Sequence, residues 1–178
     1  MKGICRGLLT GALLLISCAT AAGTPAPSPP LPKGAIALRA ELLDGGAVTL
    51  GQLRGRVVLV TLMQTWADPA LIEVPRLAAL TRRYKPEDLT VLCIALDDQP
   101  ATVRIFRKVF EVPYLIATVE DRAALTGASG PFGAITTVPT SVLIDRSGHA
   151  VARSDGGWPP QVLEAAVERV LASDPRSK

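Results

Sequence analysis

The sequence predicts an α/β fold: a mixed central sheet with helices on both faces and an N-terminal β-hairpin. Three observations predict it. Residues 57–63 and 89–95 are continuous apolar runs, as expected of strands buried on both faces. Each run is followed by a segment with apolar residues three and four apart, the helical period. Two turn signals, Asp44-Gly45-Gly46 and Asp145-Arg146-Ser147-Gly148, each separate two short strand-like segments. The order strand, helix, strand, helix, strand, then hairpin and helix gives the layered arrangement.

The elements follow in chain order. Residues 37–43 and 47–50 flank Asp44-Gly45-Gly46 as a hairpin. Gly55-Arg56 leads into the strand 57–63. Residues 69–84 read as a helix, with Val74, Leu77, Leu80 and Tyr84 on one face; Pro75 lies inside it and is expected to kink the axis. Asp68 is a favoured N-cap residue and Pro69 a favoured first helical residue. The strand 89–95 is next. Asp97-Asp98-Gln99-Pro100 opens a second helix carrying Val103, Phe106 and Phe110, and Glu111-Val112-Pro113 ends it. Residues 114–119 form a strand and 121–125 a short helix. Residues 141–144 and 149–153 make the second hairpin. Pro159-Pro160 starts the last helix, with Leu163, Val167, Val170 and Leu171 periodic.

The chain of 178 residues suits one domain with export and linker segments. Residues 1–17 read as a signal peptide: Lys2 and Arg6 precede an apolar run, residues 7–17, too short to span a bilayer as a helix. The run ends Leu15-Ile16-Ser17-Cys18, which resembles the bacterial lipobox, so Cys18 is expected to be acylated and to become the N-terminus. The other reading is an ordinary secretory signal cleaved between residues 19 and 22. Ala19 after the cysteine favours the outer membrane in a Gram-negative cell. Residues 18–33 are a tether with prolines at 25, 27, 29, 30 and 32, able to reach roughly 45 Å when extended. The folded domain is expected over residues 34–178.

Formal charge is +3, and removal of Lys2 and Arg6 leaves 17 basic and 16 acidic groups, net +1. Basic residues are scattered, so nucleic acid is not an expected partner. With Cys5 in the signal and Cys18 acylated, Cys93 alone remains. It lies in the apolar run 89–95, where a cysteine is expected to be an inert core residue.

Residues 57–75 carry the first specific motif. After the apolar strand come Thr65, Trp66, Ala67, Asp68, Pro69, Ala70, Glu73 and Pro75. The second motif is Phe132-Gly133, then Val138-Pro139-Thr140, Leu143-Ile144-Asp145 and Gly148. Together they resemble the TlpA/ResA-type thioredoxin-like proteins, with their A-T-W-C-x-P-C-x-x-E-x-P stretch, over about residues 38–172. The resemblance implies a thioredoxin-like fold. It also implies a cis Pro139 facing the site, and a groove rimmed by Trp66 and residues 137–139. It places both family cysteines at Ala67 and Ala70. Alanine can neither attack a disulfide nor resolve a mixed one, so no catalytic residue is assigned.

The candidate groove is Trp66, Asp68, Glu73, Val138 and Pro139. Strand addition of an extended peptide beside a cis-proline loop needs no sulfur. Glu73 matches the family's acidic residue and, without a thiol nearby, is expected to be a solvated helix residue. No metal or cofactor is expected: His149 is the only histidine and no ligand set is within sequence reach. The Cys-x-x-x-Cys of Sco-type copper proteins is missing, and Asp68 stands where a peroxiredoxin would carry its cysteine. Three functions remain open. The first is a lipid-anchored envelope protein without redox activity that binds a protein or peptide. The second is a TlpA-type thiol-disulfide oxidoreductase acting with Cys93 or a partner cysteine. The third is a structural subunit of an envelope complex.

Overall fold

A computed structural model describes residues 30–97 and 99–173. Cys5, Cys18, most of the tether and Asp98 lie outside the described residues.

The first hairpin is β1 (Arg39–Leu42) and β2 (Ala47–Thr49), shorter than the sequence suggests. Its continuation, Leu50–Leu53, is a 3-10 turn closed by a capping box between Thr49 and Gln52. Then come β3 (Val57–Met63), α1 (Asp68–Arg83), β4 (Leu89–Ala95) and α2 (Pro100–Val109). The chain continues through β5 (Leu115–Thr118), α3 (Arg122–Thr126), β6 (Thr140–Ile144), β7 (Ala150–Asp155) and α4 (Pro160–Ala172).

The strands form one seven-stranded sheet in the order β2-β1-β5-β4-β3-β6-β7. β3, β4 and β5 run parallel; β6 is antiparallel to β3, and β7 to β6. The two apolar runs are the central parallel pair, with Val57 opposite Leu89 and Met63 opposite Ala95. Every residue of both strands is buried because the sheet is covered on both faces. On one face Val57, Leu59 and Met63 pack with Val74 and Leu77 of α1, Val103 of α2 and Leu163 of α4. On the other, Val58, Val60 and Leu62 meet Leu53, Leu125 and Phe132. The thioredoxin-like arrangement expected from the sequence is therefore present.

Three local expectations are corrected. Asp68 is the first residue of α1 rather than its cap. Ala67 holds the cap position in an extended conformation, and no side chain caps the helix there. The Asp68 carboxylate still complements the positive end of the helix dipole. Phe110 lies just past α2 and is 41% exposed, held by its ring contact with Phe106 at 4.8 Å. Glu73 is not solvated: it is buried at 2% exposure on the core face of α1.

Candidate functional site

Two loops leave the same end of adjacent strands. β3 and β6 pair with Leu62 opposite Thr140, so the chain after Met63 and the chain before Thr140 emerge side by side. The first loop carries Trp66 into α1, and the second is residues 132–139.

The first loop is clasped from below. The Met63–Ala95 register places Thr65 and Asp97 two residues beyond that pair. The buried Asp97 carboxylate accepts the Thr65 amide at 3.0 Å and the Thr65 hydroxyl at 2.5 Å. Arg122 donates to the Asp97 carbonyl at 2.6 Å, tying the clasp to α3. With its base fixed, the turn projects Trp66, which is 70% exposed. Leu71 and Ile72 of α1 are also exposed. Asp68 is exposed on the first turn, Ala67 is half-buried, and Ala70 is buried in the core. The Ala70 amide donates to the Ala67 carbonyl at 2.9 Å, so one turn separates them.

The second loop has the expected cis peptide at Val138–Pro139. Pro139 is buried, Val138 half-buried, and Thr136 and Thr137 exposed. The Pro139 carbonyl accepts the amides of Gly156 at 2.8 Å and Gly157 at 3.1 Å. The Thr140 hydroxyl lies 2.6 Å from the Thr137 carbonyl and 2.9 Å from Asp155, sharing its proton between them. Arg153, its side chain buried, donates to the carbonyls of Phe132 at 2.6 Å and Ala134 at 2.7 Å, and to Asp155 at 2.8 Å. The loop is thus fixed at both ends by β7 and the turn after it.

Glu73 and Pro139 meet at Gly157. A side-chain carbon on Gly157 would lie 2.8 Å from Glu73 Oε1 and 3.6 Å from Pro139 Cγ, and only glycine fits there. Arg76 donates to Glu73 Oε1 at 2.9 Å and reaches the Trp158 carbonyl at 3.4 Å. Glu73 Oε2 is buried without a hydrogen-bond partner. Burial pushes the Glu73 carboxyl above its ordinary value, and the Arg76 hydrogen bond and charge offset part of the rise. The Tyr114 hydroxyl is pushed up by burial, with the nearby Cys93 and Glu73 adding to it.

Of the sequence-predicted residues, the structure joins Glu73 to Pro139 through Gly157 and sets the Trp66 and Val138 loops side by side. Cys93 stands apart, fully buried in β4, its thiol pushed up by burial and by Asp97. His149 spends Nδ1 on the Ser147 hydroxyl at 2.7 Å, within a turn closed by Asp145. Asp97, Arg153 and Gly157 were missed. Asp97 could have been found from the parallel pairing of the two apolar runs, which puts it level with Thr65. Gly157 carries no local signal beyond the Gly-Gly pair.

A family profile described as Redoxin matches residues 21–171. Among characterised relatives, the thiol-disulfide oxidoreductase ResA of Bacillus cereus is 26% identical over 129 residues, covering 72% of this chain and 71% of the relative. ResA of Halalkalibacterium halodurans is 25% identical over 130 residues, covering 73% and 71%. The crystal structure of a thiol:disulfide interchange protein from Chlorobium tepidum TLS aligns with TM-score 0.66 at 24% identity, over 82% of this chain and 99% of that one. The pneumococcal exposed lipoprotein thioredoxin Etrx1 of Streptococcus pneumoniae aligns with TM-score 0.64 at 15% identity, over 75% and 98%. With the profile spanning most of its length, the chain belongs to the Redoxin family.

Proposed function

We propose that this chain is a cell-envelope member of the family that has lost dithiol redox chemistry. In this reading it binds an extended protein or peptide segment in the groove between Trp66 and the Val138–Pro139 loop. The observation that carries it is the pairing of Ala67 and Ala70 at the helix start with a fully displayed Trp66 and a cis-proline loop. Ala67 and Ala70 carry no sulfur, while Trp66 is exposed and the cis-proline loop is kept, which supports a binding role. Aromatic anchors of this kind dominate peptide and protein contacts, and main-chain pairing at a loop edge supplies the rest.

The experiment is capture from envelope extracts on the immobilised chain, with Trp66→Ala beside it. Loss of the indole is expected to weaken capture of the specific partner about ten-fold. An identical retained set from both would support a structural subunit with an unused groove and overturn the groove assignment.

The oxidoreductase alternative has the names of the relatives in its favour. It would need Cys93 or a cysteine supplied by a partner; Cys93 is fully buried in the central strand pair, and that burial disfavours its thiolate.

Envelope anchoring belongs to the same proposal. It rests on the basic start, the short apolar run and the lipobox-like Leu15-Ile16-Ser17-Cys18. Feeding cells a palmitate analogue should label the protein, and Cys18→Ser should abolish the label. A fully soluble, unlabelled product would remove the anchor from the proposal.

A further inference from the structure

We infer that the outward face of α2 is a membrane-contact surface that rests on anionic lipid headgroups. This does not depend on the groove reading. Val103 and Phe106 turn α2 toward the core, which leaves Ile105 and Val109, one turn apart, at 65% and 66% exposure. Arg104 and Lys108, also one turn apart and exposed, run beside them, and Arg107 is half-buried on the core side. Residues 100–110 hold these cations and no acid. Two carboxylates share a cleft with these cations: Asp44, which pairs with Arg107, and Glu111, just beyond the helix.

An apolar stripe flanked by cations is the pattern of a helix lying in a bilayer interface. The apolar groups enter the headgroup boundary while the cations stay level with the phosphates. Ile105 and Val109 stand outside the cleft that Arg104, Arg107 and Lys108 line with Asp44 and Glu111, which favours a deformable lipid surface over a protein knob. Among the described residues no helix is long and apolar enough to cross a membrane, so the contact is superficial.

The test places a tryptophan reporter on each of two helices of the full chain, Val109→Trp on α2 and Val162→Trp on α4, with the parent emission subtracted. Each variant is reconstituted in vesicles of brominated phosphatidylglycerol or brominated phosphatidylcholine. The reporter on α2 is expected to be quenched about two-fold or more by the anionic lipid and little by the zwitterionic one. Quenching should be lost in 1 M salt, where the screening length is about 3 Å. It should also be lost in Arg104→Glu with Lys108→Glu. The reporter on α4 should be unquenched throughout. No quenching at position 109, equal quenching in both lipids, or equal quenching of the two reporters would each overturn the assignment. So would a photocrosslinker at position 109 that in cells joins one acidic protein and no lipid.

Discussion

Ala67→Cys combined with Ala70→Cys is expected to create a disulfide and a reductase where the native chain has neither. Residue 67 caps α1 and residue 70 closes its first turn, with the Ala70 amide bonded to the Ala67 carbonyl at 2.9 Å. Side chains one turn apart come close enough to bridge. A thiol at position 67 faces the positive dipole end of the helix, which favours the thiolate. Asp68 beside it works the other way by like-charge repulsion. If the helix end wins by about one pKa unit, thiolate at neutral pH rises about ten-fold over a free cysteine. The variant should then reduce insulin with dithiothreitol as reductant. The native chain should stay at background, and its Cys93 should meet a thiol reagent only in denaturant. Substantial native activity would overturn the loss of redox chemistry. A variant that folds but never bridges would show that the local geometry has moved away from a redox helix start.

What was readable in the sequence was whatever a short stretch of chain settles by itself. The runs 57–63 and 89–95 announced the central strands because residues buried on both faces must be apolar at every position. Asp44-Gly45-Gly46 announced the first hairpin because its turn demands those residues. Glu73 was misread because polarity alone cannot tell which helix face meets the core. Val74, Leu77 and Leu80 define that face, and Glu73 lies beside them on it. The site was half legible. Trp66 and Pro139 stood in motifs, whereas Asp97, Arg153 and Gly157 act through partners tens of residues away. Thr65 and Asp97 are 32 residues apart, and Arg153 lies 21 from Phe132. Such pairs become visible only after the strand order is known.

Gly157→Ala is expected to be the most damaging single substitution near the site, although Gly157 touches no proposed ligand. The first cost is conformational. Gly157 sits at φ +90, which an L side chain adopts at about 1–2 kcal/mol. The second is steric. The new carbon would stand 2.8 Å from Glu73 Oε1, and that oxygen cannot simply swing away. It belongs to a carboxylate that is buried and held by Arg76 at 2.9 Å. Displacing it weakens the ion pair that Glu73 makes with Arg76 in a buried setting. The two costs together come to about 3 kcal/mol, or a fall in Tm of roughly 10 °C for a domain of this size. They can be separated. In a Glu73→Ala background the steric cost vanishes and the conformational cost stays, so adding Gly157→Ala there should cost only about 1–2 kcal/mol. Equal costs in the two backgrounds would mean that Glu73 yields freely. The substitution should also reach the groove. The Gly156 and Gly157 amides hold the Pro139 carbonyl, so a shifted residue 157 moves the cis-proline loop. Partner capture should therefore weaken at temperatures where the variant is still folded, with Trp66 and Val138 both intact.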